Sequence, residues 1–211
     1  MSRIIDVSHT LRKGDAGVDW EVARTLERDG WNARTLHLYS HAGTHMDAPL
    51  HFGAGTDTID IIPADRFFAQ CHMINLDGIA PNTRIFTSDL GRVANRLLPG
   101  EGLIFRTGWH KRYGTERYRQ GIPGISEELA RWCAARGVRI IAVEPPSVAD
   151  VNNLPEVTLI HTILLSAGIV IVEGLSDLSQ VRGKFVQLIA LPLKIEGGDG
   201  SPCRAVIIDT P

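Results

Sequence analysis

His41-Ala42-Gly43-Thr44-His45-Met46-Asp47-Ala48-Pro49-Leu50-His51 sets three imidazoles and one carboxylate at offsets 0, 4, 6 and 10. Any one of these histidines alone reads as a surface loop residue; together they read as a metal site. If the segment bends through a helical turn, positions four apart face the same way, so His41 and His45 can share an ion. Asp47 adds a hard anionic oxygen beside two neutral nitrogens, and two imidazoles with one carboxylate commonly form an open catalytic site. Gly43 permits a sharp turn, and Pro49 stiffens the exit. The zinc-protease helix pattern is excluded, because Ala42, not a Glu, follows His41. A general base must therefore come from elsewhere, and His51 is the nearest candidate.

The composition around this stretch is that of one globular domain spanning residues 1–211. Hydrophobic residues make up 44% and charged residues 22% of the chain, and the formal net charge is -2. Without a basic run, nothing favours nucleic acid or an anionic membrane as partner. The N-terminus carries no apolar signal core, and no apolar stretch is long enough to span a bilayer, so cytoplasmic residence is expected. Cys71, Cys133 and Cys203 are odd in number and widely spaced, which suggests neither a disulfide framework nor a thiolate zinc site.

Outward from the cluster, Thr35 to Ser40 alternates apolar and polar residues and predicts a strand that delivers His41 at its end. Residues 11–32 form a mixed segment holding Trp20 and Trp31, readable as a pocket wall or lid, or as tryptophans packed on the core. Strands are predicted at Arg3 to His9, Phe68 to Leu76, Leu103 to Arg106, Val138 to Val143, Ile169 to Val172, Val186 to Pro192 and Arg204 to Ile208. Helices are predicted over Thr87 to Leu98, Ser126 to Gly137 and Pro155 to Ala167. The helix-then-strand steps indicate an α/β fold. His161 lies on an otherwise apolar helix, where an imidazole must find a partner. Glu173 is the first charged residue after an apolar strand, at the carboxyl end where α/β sheets place their sites. Both are candidates to complete the site.

The pattern His41-x-Gly43-Thr44-His45-x-Asp47-x-Pro49-x-His51 resembles the signature of the cyclase family of metal-dependent hydrolases, which includes bacterial kynurenine formamidases and has isatin hydrolase as a relative. The resemblance continues through Arg106-Thr107-Gly108-Trp109, Pro146-Ser147, Ser166 to Leu175, and Ile189 to Lys194 with Gly198-x-Gly200-Ser201-Pro202. It implies a mixed, barrel-like sheet with flanking helices, assembled as a homodimer or homotetramer. It implies one ion on His41, His45 and Asp47 and a second on Asp47, His161 and Glu173, with His51 as proton donor and acceptor. Where formamidases carry a Trp-Pro-Gly-Asp-like stretch at the substrate, this chain has Val18-Asp19-Trp20-Glu21, so Trp20 is expected there, with Trp109 as a second aromatic contact.

The implied reaction is hydrolysis of a small-molecule amide C–N bond, foremost an aryl formamide such as N-formylkynurenine, by hydroxide on zinc or, alternatively, manganese. Such an ion lowers the pKa of bound water from 15.7 to about 7. Hydrolysis of a cyclic amide such as isatin, a metal-dependent lyase or cyclase, and a non-catalytic metal-binding scaffold are the alternatives.

Overall fold

A computed structural model describes residues 2–210. Its strands run in chain order as β1 (Arg3–Asp6), β2 (Val18–Arg24), β3 (Ala33–Leu38), β4 (His45–Asp47), β5 (Phe68–Asn75), β6 (Arg84–Ile85), β7 (Gly102–Arg106), β8 (Gly124–Ile125), β9 (Ile140–Val143), β10 (Val170–Glu173), β11 (Phe185–Pro192) and β12 (Gly200–Asp209). Three α-helices, α1 (Leu26–Asp29), α2 (Glu127–Arg136) and α3 (Leu154–Ser166), lie between them.

The main sheet has the order β1-β12-β11-β5-β7-β9-β10-β4, and β4 also pairs with β12. Seven strands thus close into a ring, with β1 attached outside it on β12. The run β5-β7-β9-β10 is parallel, and the remaining pairings are antiparallel. Closure pairs each ring strand on both sides and leaves the short β1 as the edge of this sheet.

Period-two alternation divides the ring strands between two cores. Ile104, Ile140, Ala142, Val170, Val172, Met46, Leu188 and Ala205 fill the ring interior. Leu103, Phe105, Ile141, Val143 and Ile171 face outward and pack with Leu129 and Cys133 of α2 and Ile160 and Leu164 of α3. With both faces covered, the parallel strands read as unbroken apolar runs. Such runs are what made them visible in the sequence.

Helix α2 forms where its caps dictate. Ser126 Oγ accepts from Leu129 N at 3.1 Å, Glu127 and Glu128 occupy the first turn, and Gly137 closes the helix at φ +67°. In α3, the Asn153 side chain accepts from Glu156 N, and Pro155 stands in the first turn.

The strand expected before His41 forms as β3 and pairs with β2 in a two-stranded hairpin outside the main sheet. Two expectations are corrected. Residues 45–47 form a ring strand instead of a helical turn. The segment predicted as a helix from Thr87 is a 3-10 stretch, Thr87–Asn95, broken at Gly91, whose φ of 54° and ψ of -127° no right-handed helix tolerates.

Gly102 shows how tightly the layers meet. A Cβ there would lie 2.6 Å from Cys71 Sγ and 2.8 Å from the Ile140 carbonyl oxygen. Gly102→Ala is therefore expected to lower unfolding free energy by about 1–3 kcal/mol in urea titration. An unchanged midpoint would mean that β5 and β9 yield freely.

Candidate metal centre

The site arises from one register. In the antiparallel β4–β10 pair, Glu173 lies opposite His45 and Ile171 opposite Asp47. Met46 points into the ring, so His45 and Asp47 take the opposite face, the one covered by α3. On the other side of β4, Gly200 of β12 lies opposite Asp47. A Cβ on Gly200 would come within 2.6 Å of the His41 ring and 2.7 Å of Met46 O, so only glycine lets His41 fold over this face.

Backbone carbonyls then aim two imidazoles. His161 Nδ1 donates to Val157 O at 2.7 Å, and His45 Nδ1 donates to Gly43 O at 3.0 Å. Each leaves Nε2 toward the carboxylates, the outer-partner arrangement usual for metal-ligating histidines. His161 Nε2 stands 3.2 Å from Glu173 Oε1 and 3.4 Å from Asp47 Oδ2. His45 Nε2 stands 3.2 Å from Glu173 Oε2 and 3.8 Å from Asp47 Oδ1. His41 Nδ1 lies 2.9 Å from Asp47 Oδ1. The donor atoms of His41, His45 and Asp47, and those of Asp47, His161 and Glu173, lie within 4.8 Å of one another in each set. The residues expected as ligands from the sequence thus meet in one place, with Asp47 common to both sets.

Asp47 and Glu173 are 2% and 3% exposed, which is costly for charged groups without compensation. Val148 N donates to Glu173 Oε1, whereas Asp47 Oδ2 is buried without a hydrogen-bond donor. An orphaned carboxylate oxygen among three imidazoles and a second carboxylate fits a divalent cation, and this mixed nitrogen and oxygen donor set is one such ions accept.

His51 sits on the 3-10 turn Pro49–Phe52, with its ring stacked on His41 at a centroid distance of 3.8 Å. Burial pushes its pKa below the usual imidazole range, helped by the charges of His41 and His161 and opposed by Asp47.

A cavity of about 460 Å³ opens on the centre. His41 and His45 line it together with Asp15, Tyr39, Tyr113, Tyr118, Arg119 and Pro146. Trp20 and Trp109, expected at the substrate, are not among its lining residues. Trp109 is 2% exposed and donates from Nε1 to Tyr118 O at 2.9 Å, so it supports the wall from behind. Trp20 lies on the hairpin beneath Arg34. The aromatic surface at the cavity is made by tyrosines, which sequence reasoning missed. It also missed Asp199, whose Oδ2 lies 3.0 Å from His41 Nε2; its one signal was an acidic residue framed by Gly198 and Gly200.

A ring-closed α/β domain whose covering helix and strand pair converge two carboxylates and three imidazoles beside an open cavity has the architecture of a metal-dependent enzyme. Comparison with known proteins narrows this class. The cyclase family's sequence profile matches residues 5–150. The kynurenine formamidase of Salinibacter ruber is 32% identical, over 100% of this chain and 97% of its own length. That of Bacillus cereus strain ATCC 14579 is 31% identical, over 98% and 97%. Isatin hydrolase A from Labrenzia aggregata, solved bound to benzyl benzoate, superposes with a TM-score of 0.89 at 26% identity, covering 100% of this chain and 94% of that one. The chain belongs to the cyclase family.

In the metal-free protein, burial works against protonation of His41 and His161, but their carboxylate partners win. Asp47 and Asp199 raise His41 to about 9, and Asp47 and Glu173 raise His161 to about 10. Ligation requires neutral imidazole, so zinc loading at pH 7.5 should release about two protons. Calorimetric titration of chelator-stripped protein in buffers of differing ionisation enthalpy measures this, and a buffer-independent heat would refute it. Because both folded-state values lie above 6.5, their stabilisation of the metal-free fold should be fully present below pH 6.5. It should be lost as pH rises through 9 to 10.

Proposed function

We propose that this chain hydrolyses the C–N bond of an aryl formamide, with N-formylkynurenine as the foremost substrate. It is a metal-dependent amide hydrolase. The observation that carries the reading is the buried, donorless Asp47 Oδ2 at the meeting point of His41, His45, His161 and Glu173, beside a cavity walled by aromatic rings.

In this proposal, His41, His45 and Asp47 would hold one ion, and Asp47, His161 and Glu173 would hold a second. The ion is zinc, with manganese as the alternative for the same mixed donor set. When bound, such an ion supplies Lewis acidity toward a carbonyl oxygen and lowers the pKa of water. The remaining work falls to the chain. Tyr39 and Tyr113 offer ring surface to a flat aromatic substrate, while the buried Tyr118, whose hydroxyl donates to Glu144 O at 3.0 Å, stiffens the wall behind them. His51, neutral at neutral pH because burial disfavours its charged form, accepts the proton of the attacking water. It then delivers that proton to the departing nitrogen as the C–N bond breaks.

A second reading, hydrolysis of a cyclic amide, is favoured by the superposition on isatin hydrolase A over the whole chain. The two are separated by the product, since one substrate loses formate and the other opens its ring. Assembly as a homodimer or homotetramer belongs to the same proposal, and the exposed apolar residues Val22, Trp31 and Leu36 of the hairpin region support it. Cytoplasmic residence is supported by the free thiols of Cys71, Cys133 and Cys203.

Chelation should abolish hydrolysis of N-formylkynurenine, and added zinc or manganese should restore it. Fully loaded protein that leaves both N-formylkynurenine and isatin intact would end the amide reading. His51→Ala should lower kcat by about 10²- to 10⁴-fold while sparing metal content. Loss of metal in that variant would make His51 a ligand instead.

A further inference from the structure

Asp199 lies outside both proposed ligand sets, yet two histidines share one of its oxygens. Oδ2 is 3.0 Å from His41 Nε2 and 3.4 Å from His51 Nδ1. The two rings are stacked with an interplanar angle of 26°, so both present a nitrogen to the same carboxylate. The residue is held in place by its backbone. Asp199 O accepts from Ala48 N at 2.9 Å, and the following Gly200 is registered opposite Asp47. Asp199 therefore stands in fixed relation to both β4 and the turn that carries His51.

A carboxylate only accepts, so His41 Nε2, which hydrogen-bonds it, must bear a hydrogen, and a bare lone pair on His51 Nδ1, 3.4 Å from the same oxygen, would be repelled by it. For His51 this selects the tautomer with Nδ1–H and leaves the lone pair on Nε2. A ring free to exchange tautomers would spend part of its time with no base at that nitrogen. We propose that Asp199 is the positioning residue of this centre, fixing the ring and tautomer of His51 through Nδ1 while also taking the outer nitrogen of His41. The role is the one that a third, orienting group plays behind a proton-transfer histidine. It rests on the reading of His51 as the group that moves the proton.

The test uses zinc-loaded, full-length protein labelled with ¹⁵N-histidine. In the wild type, His51 should show the Nδ1–H form by imidazole nitrogen shifts, its signals assigned by their loss in His51→Gln. Asp199→Asn, whose amide offers a donor as well as an acceptor, should lose that single form. Its kcat on N-formylkynurenine should fall about 10- to 100-fold, with KM little changed and zinc per chain unchanged. Asp199→Glu should recover part of the loss. Reduced zinc stoichiometry in Asp199→Asn and Asp199→Ala at saturating metal would make Asp199 a ligand and overturn the proposal. An Nε2–H form in the wild type, or an unchanged kcat in Asp199→Asn, would overturn it as well. If the wild type leaves N-formylkynurenine intact, the functional reading fails, and the tautomer comparison still decides the role of Asp199.

Discussion

Asp47 is a carboxylate held almost out of solvent in the middle of a closed sheet, and the architecture around it answers the cost of keeping it charged. Desolvation alone would drive its pKa up, but His161 and His41 bring it well below the usual carboxylate range. The same charge holds two imidazoles protonated in the metal-free protein. Removing one member of such a buried cluster typically costs 3–5 kcal/mol, because the survivors keep their charge without a partner. A divalent cation can replace the protons on His41 and His161 and give the orphaned oxygen of Asp47 a partner. Metal affinity and the electrostatics of the fold are thus consequences of one burial.

The ring sheet makes that burial possible. Strand β4 is only three residues long, and its neighbours on both sides are fixed by pairing. Since side chains alternate, a one-residue slip would turn Met46 toward α3 and send His45 and Asp47 into the apolar ring interior. Two glycines enforce the fit from outside the strand. Gly200 leaves room for the His41 ring, and Gly174, at φ +67°, admits the Gly43 carbonyl where a Cβ would sit 2.5 Å from it. Hydrophobic packing sets the register, and the register sets the chemistry.

Those facts explain which parts of the molecule could be read from the chain. Unbroken apolar runs such as Val138 to Val143 are the mark of strands covered on both faces, and Ser126 with Gly137 brackets α2 by capping chemistry alone. His161 and Glu173 stood out because each is a polar residue against an apolar run, and the structure brings His161 to 3.4 Å from Asp47 and Glu173 to 3.2 Å from His45. Strand β4 offers too few residues to display a period, so its alternation was hidden behind the 0, 4 spacing of the histidines. Asp199 was hidden for another reason. An acidic residue between two glycines in an exposed turn is commonplace, and only the register of β12 against β4 brings it to His41. Trp109 drew attention by its size, but its indole N–H required an acceptor and found the Tyr118 carbonyl behind the wall.

The cavity wall and the metal centre are therefore built from different kinds of structure. The five ligand candidates come from or beside β4, β10 and α3, elements pinned by the ring and its covering helices. The wall comes from the segment at Asp15 and from Tyr113 to Arg119, loops and a 3-10 turn that lie outside the ring strands. Loops of this kind accept substitutions that pinned strands cannot. A change at Tyr113 or Arg119 alters the shape and charge that a substrate meets while leaving Asp47 and its partners in place. The shape and charge of the cavity can in this way change separately from the ligand cluster, because the two are carried by different elements of the chain.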